Sequence, residues 1–261
     1  GKLLSKKSVD GMSFFDAVSI FGTVWSIFDM YEKDLAFIGD QEAIRKFSTF
    51  RNTEKIRIFP HMNTEKFAEL YPGEEYGEYE RNAFYDYRQN DPQGKHVLAF
   101  FPVSLNGTQP QYTSQSFDIG AHETGHASLN ILRPDLWQSR NHEIRAFHES
   151  YGDMTTLFTV LRFPELRKKV LEKTEGNFHR SSFLSVIGEK IVGRDASQCT
   201  TLSILPSCEE HDLSERLTRA LYGTLADVFN INRTDKNNSE WGGILENTVS
   251  QLRRLFLGTT I

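Results

Sequence analysis

The sequence predicts an α+β fold, with a β-containing N-terminal part over residues 1–117 and a mainly α-helical part over 118–261. Three observations predict it. Apolar residues recur at helical spacing from 14 to 38 and again from 118 onward, short runs rich in aromatic and β-branched residues fill much of the interval between, and no repeat or low-complexity tract interrupts either part. With 261 residues, 38% of them hydrophobic and 25% charged, the chain is long enough to bury a full core in one large or two intimate domains.

The elements follow in order. Residues 14 to 38 read as one long helix whose stripe of Phe14, Phe15, Val18, Phe21, Val24, Trp25, Phe28 and Tyr31 is expected to face the core. The stretch from there to 117 reads mainly as strands and loops. Lys55 to Phe59 is strand-like, and Asn82 to Arg88 and Lys95 to Ser104 are two further strands joined by the turn residues Asn90-Asp91-Pro92-Gln93-Gly94, hence a hairpin. Asp118 is a candidate N-cap for the next helix, which continues through Ala127, Leu129, Ile131 and Leu132 until Pro134 stops it. Glu149-Ser150-Tyr151-Gly152-Asp153-Met154 opens another helical pattern, with Met154, Leu157, Phe158 and Leu161 as its buried positions. Later, His211-Asp212-Leu213-Ser214 runs into Leu217, Ala220, Leu221, Tyr222, Leu225 and Phe229, an amphipathic helix.

The pentapeptide His122-Glu123-Thr124-Gly125-His126 carries the chemistry. Positions i and i+4 share one helix face about one turn apart, so both imidazoles can address a single ion while Glu123 leans towards an open coordination position. A catalytic zinc needs a third protein ligand, and His142, Glu143, His148 and Glu149 are the candidates that follow. A metzincin would require Gly and His where Leu129 and Leu132 stand, which excludes that pattern. Glu149 is the choice, with His148 as its competitor, because Glu149 and Asp153 share a helical face. An aspartate one turn past the ligand can accept the second ring N–H of a metal-bound histidine and so fix its tautomer.

These residues resemble the thermolysin-like gluzincins, zinc metallopeptidases in which His-Glu-x-x-His on one helix is followed about twenty residues later by Glu-x-x-x-Asp on the next, here Glu149 and Asp153. Arg81-Asn82-Ala83-Phe84-Tyr85-Asp86 is similar to the edge strand with which that family holds an extended substrate backbone. The resemblance implies a two-lobe fold, a β-containing N-terminal lobe and an α-helical C-terminal lobe with the zinc site in the cleft. It also implies substrate contacts from Asn82, Ala83, Phe84 and Tyr85, and an oxyanion-stabilising histidine in the C-terminal part. His211 is the candidate for that histidine, with His179 as competitor. The family's oxyanion tyrosine has no clear counterpart, although Trp137 and Tyr151 lie in the right stretch.

Composition sets the remaining bounds. A formal net charge of −5 argues against a nucleic-acid groove. No apolar run approaches the length that spans a bilayer, and Gly1-Lys2-Leu3-Leu4-Ser5-Lys6-Lys7 is too polar for a signal peptide. Secretion is what the resemblance implies, with any leader and pro-segment removed, and sequons at Asn106, Asn232 and Asn237 would permit glycosylation on that route. Cys199 and Cys208 are spaced so that one disulfide or two buried thiols fit equally well. The acidic run Glu74, Glu75, Glu78 and Glu80 reads as a solvated loop more readily than as a calcium site, and Ca2+ stays open as a further ion.

The expected function is therefore zinc-dependent endopeptidase activity on a peptide or protein substrate. One zinc would sit on His122, His126 and Glu149, with Glu123 as general base and His211 at the oxyanion. Two other classes compete with it: a gluzincin exopeptidase or amide hydrolase, and a zinc-containing binding module without turnover. The presence of Glu123 speaks against the second.

Overall fold

The computed structural model describes residues 8–9, 12–79, 82–103, 111–180, 182, 184 and 210–261. It is an α+β structure dominated by helices. In chain order it contains β1 (Ser8–Val9), β2 (Met12–Ser13), α1 (Phe14–Ile38), α2 (Gln41–Thr53), β3 (Ile56–Phe59) and α3 (Thr64–Leu70), then β4 (Ala83–Tyr87), β5 (His96–Phe100), β6 (Pro102–Val103) and β7 (Gln111–Tyr112). The helices α4 (Phe117–Leu132), α5 (Pro134–Trp137), α6 (His142–Val160), α7 (Pro164–Thr174), α8 (Glu210–Arg233) and α9 (Trp241–Thr260) follow.

α1 runs for 25 residues without proline and buries Ile20, Val24, Ile27, Tyr31 and Leu35, spaced three and four apart, so one stripe faces inward. The aromatic stripe expected to be core divides here. Phe28 and Tyr31 are buried, but Phe14, Phe21 and Trp25 are 50%, 59% and 52% exposed. The reason is geometric: at about 100° per residue, 21 and 25 lie off the stripe of 20, 24 and 27 that joins the core. The Phe21 and Trp25 rings stack on each other, and the Arg51 guanidinium lies 4.4 Å from the Trp25 ring centre.

Two helices stand where strands and loops were expected. The Asp40 side chain accepts from the Ala43 N–H at 2.8 Å and starts α2, whose Ala43, Phe47 and Phe50 form an i, i+4, i+7 buried face. Asn63 caps α3 in the same manner.

The predicted hairpin is present. β4 pairs antiparallel with β5 in the register Ala83 to Phe100 through Tyr87 to His96, and β3 adds in parallel on the far side of β5. The order β3-β5-β4 makes β5 central, with all five residues buried, and leaves β4 at an edge. One bolt joins this edge to α4: the Tyr85 hydroxyl lies 2.7 Å from His96 Nδ1 and accepts from the Asn130 side-chain amide at 2.7 Å. Asn130 stands one turn beyond His126, so the spacing between the motif helix and the edge strand is fixed from inside the core.

The main core runs without a break across position 117. It joins Ile20, Tyr31 and Phe47 to Leu129, Tyr151, Phe229 and Leu257. The sequence division at 117/118 therefore separates no independent core, because α1 packs on α4, α6 and α9. The buried Asp34 on α1, held by Arg253 and Arg254 of α9, ties the two ends of this body together. A smaller cluster of Met62, Phe67, Leu70, Val97, Ala99 and Phe101 sits beneath the other face of the sheet.

Candidate metal centre

α4 and α6 make the most extensive helix–helix contact in the structure, and two glycines permit it. A methyl group at Gly125 would lie 2.8 Å from both the Gly152 Cα and the Thr155 hydroxyl oxygen. One at Gly152 would lie 2.8 Å from Cε1 and Nδ1 of His122. The backbones thus approach as only unsubstituted positions allow, and the His122 ring rests directly on Gly152. The cap of α4 is Ser116, not Asp118, which stands inside the first turn and takes the Ser116 hydroxyl bond. α6 begins two turns before Glu149, because Asn141 caps it by accepting from the Glu143 N–H at 2.7 Å. His142, Glu143, His148 and Glu149 consequently share one helix, and of these Glu149 faces the motif histidines together with His148.

His122, His126 and Glu149 converge, with one ligand atom from each lying within 4.8 Å of the others. The Nε2 atom of His122 is 3.4 Å from one Glu149 oxygen, and the Nε2 atom of His126 is 3.7 Å from the other. The two histidine–carboxylate separations lie near the roughly 3.3 Å that ligand atoms about a tetrahedral zinc would span, so these three residues could hold one ion. Two imidazoles and a carboxylate are a zinc donor set, and the fit holds on this ground. The Asp153 Oδ1 lies 3.0 Å from His122 Nδ1, which directs Nε2 towards Glu149. Replacing Asp153 with alanine should weaken zinc binding about 10- to 100-fold with the fold intact, read as a dissociation constant by chelator competition; unchanged affinity would remove Asp153 from the site.

The electrostatics separate the two histidines. Burial works against a charged His122, but the Asp153 and Glu149 carboxylates outweigh it and hold its pKa well above the ordinary value. Burial, with the charge on His122, pushes His126 down to about 3, so that ring stays neutral and ready to bind a metal. A zinc ion bound here would therefore displace a proton from His122 and none from His126. In a Glu123→Gln background, which removes the titration of that carboxyl, the logarithm of zinc affinity should fall about one unit per pH unit on acidification from 6.5 to 5. A slope near zero or near two would contradict this assignment.

Glu123 is buried, and burial pushes its carboxyl up to about 7 against the opposing charge of His122. The backbone amide of Tyr85 is directed at this carboxylate. That direction follows from the hairpin: the Asn82 carbonyl accepts from the Phe101 N–H and the Arg88 N–H donates to the Lys95 carbonyl, so even-numbered positions bond to β5. The odd-numbered Ala83, Tyr85 and Tyr87 turn their main-chain groups to the unpaired edge. Asn82 is exposed, and its side chain accepts from the Ala83 N–H at 2.9 Å.

Other expected contacts fall differently. The Tyr85 ring is buried in the bond network with His96 and Asn130, so Tyr85 offers the edge main chain only, while Phe84, whose main chain bonds to β5 and whose ring packs against Tyr71, Tyr79 and Phe101, does not face the edge as expected. Tyr151 is fully buried against Tyr31 and Phe256 and is excluded as an oxyanion donor. Trp137 lies edge-on to both Tyr85 and His148. His148 is buried 5.9 Å from the His126 ring, with burial pushing it down to about 4, and is not among the three converging groups. His179 pairs with Asp227, nine residues or about 13 Å along α8 from Thr218, which contacts Asp153. His211 lies in the first turn of α8, and its side chain falls outside the described residues, as do Cys199, Cys208 and Asn106. Arg81 and Glu80 fall outside them too. Among the described residues there is no second group of three ligating side chains that would serve calcium, and no helix long and apolar enough to cross a membrane.

Sequence reasoning missed Gly125 and Gly152 as packing determinants. The signal was present: a glycine inside an amphipathic helix costs about 1 kcal/mol relative to alanine, and two of them beside the motif residues called for a packing reason. Comparison with family models, with curated proteins and with solved structures finds no match for this chain.

Proposed function

We propose that the chain is a zinc-dependent endopeptidase of thermolysin-like type, with the metal-binding helices on one side and an edge strand on the other side of the substrate. One observation carries this reading: the buried Glu123 carboxyl lies between the converging His122, His126 and Glu149 and the unpaired edge of β4. A metal site alone would serve a structural or storage role. A protonatable carboxyl beside it, with an extended main chain facing that carboxyl, is an arrangement for hydrolysis of an extended amide substrate.

His122, His126 and Glu149 would hold the ion, which when bound would supply Lewis-acid polarisation of water and of the scissile carbonyl. Glu123 takes the proton of the attacking water on its carboxylate and returns it to the leaving amine nitrogen. Asp153 keeps the Nδ1 proton of His122 in place, so that Nε2 remains the donor atom. The carbonyls of Ala83 and Tyr85, whose N–H groups are directed at Asn82 and Glu123, align the substrate backbone independent of its side chains. His211 is assigned to stabilise the developing oxyanion.

The experiment is cleavage of a peptide library by zinc-loaded protein, using end-blocked and free-ended versions of each sequence. Internal cleavage of blocked peptides is the expected result. Cleavage only at free ends favours an exopeptidase, and zinc binding without cleavage of any peptide replaces the enzyme reading with a binding module.

A further inference from the structure

We propose that Thr218, on α8, is a positioning residue of the metal centre. This rests on the zinc reading above and adds a helix that supplies none of the three ligands. The Thr218 hydroxyl oxygen lies 3.1 Å from Asp153 Oδ2 and 3.1 Å from the Ser150 hydroxyl oxygen. A hydroxyl has one hydrogen to give. The carboxylate is the stronger acceptor, so Thr218 donates to Asp153, with the Ser150 hydroxyl as the weaker alternative acceptor.

Asp153 then receives the Thr218 hydroxyl on one oxygen and the His122 N–H on the other, at 3.0 Å. Holding both carboxylate oxygens fixes the rotation of Asp153, which a single bond from His122 leaves free. Fixing that rotation in turn fixes the plane of the His122 imidazole. Ser150 is fully buried on α6, one residue after the ligand Glu149, so the same bonds link the two metal-binding helices to α8. His122 therefore responds to where α8 sits.

The test compares wild type, Thr218→Val, Thr218→Ser, Asp153→Ala and the Asp153→Ala/Thr218→Val pair. Zinc dissociation constants come from chelator competition, and the unfolding midpoint is measured with and without zinc. Valine keeps the shape and removes the hydroxyl, so affinity should fall about three- to tenfold, at or below the low end for groups that orient a ligand. Serine should stay within about twofold of wild type. In the Asp153→Ala background the valine change should cost no further affinity, because the bond it removes has already lost its acceptor. A merely structural threonine would lower the metal-free midpoint and leave zinc affinity alone. Wild-type affinity in Thr218→Val, or an equal loss in both backgrounds, overturns the proposal while the zinc reading stands. Absence of zinc binding in wild type overturns both.

Discussion

Glu123→Gln is expected to retain one zinc per chain and the native fold while losing hydrolysis by roughly 1000-fold, within the usual range for removing a positioned base. The side chain stands beside the converging ligands and is not one of them, so the amide leaves the metal site unchanged and cannot accept the water's proton. A second effect should accompany the loss. In the metal-free protein the Glu123 carboxyl is pushed up from 4.5 to about 7, so the folded state holds its proton more tightly than the unfolded chain does. The stability this supplies is complete below pH 4.5 and is lost as pH rises through 7. A rise of about 2.5 units corresponds to roughly 3 kcal/mol. Glutamine has no such dependence, so metal-free Glu123→Gln should gain about that much relative to wild type between pH 4 and pH 8. Parallel denaturation curves at the two pH values test it. A constant difference between the proteins would mean that Glu123 is not buried as described.

Gly152→Ala should damage the metal centre directly. Helix propensity alone favours it by about 1 kcal/mol. Packing opposes it, because the new methyl would meet three atoms of the His122 ring, at 2.8 to 2.9 Å, where carbon contacts prefer about 3.5 to 4 Å. Overpacking of this kind costs about 1–3 kcal/mol, so the packing term wins. Relief requires the ring to move, and movement breaks its 3.0 Å bond to Asp153. Zinc affinity should fall about 100-fold or more, a larger loss than Asp153→Ala produces. A Gly152→Ala protein with raised stability and wild-type zinc affinity would show that the α4–α6 crossing is looser than described.

Much of this centre was legible in the sequence because its rules are local. The i, i+4 spacing of His122 and His126 and of Glu149 and Asp153 predicts shared faces from helix geometry alone, and the turn residues 90–94 predict the hairpin. What escaped depends on long-range packing. Nothing within a few residues of Thr218 says that its hydroxyl meets a carboxylate 65 positions away, and nothing near Tyr85 says that its ring turns inward to Asn130. The exposed Phe21 and Trp25 escaped for the same reason: an apolar pattern gives the helix, while the neighbours decide which side is covered. α2 is a different case, since its Asp40 cap and its Ala43, Phe47 and Phe50 spacing were readable and a strand-and-loop expectation overrode them.

The central claim is that His122, His126 and Glu149 together hold one zinc ion. Metal-stripped protein, reloaded with zinc and measured by elemental analysis and zinc K-edge absorption, tests it most directly. One equivalent of zinc with two imidazoles and a carboxylate in its sphere is the predicted result, and Glu149→Gln should lose that carboxylate together with most of the affinity. Zinc bound well below one equivalent, or a sphere identical in wild type and Glu149→Gln, would contradict it.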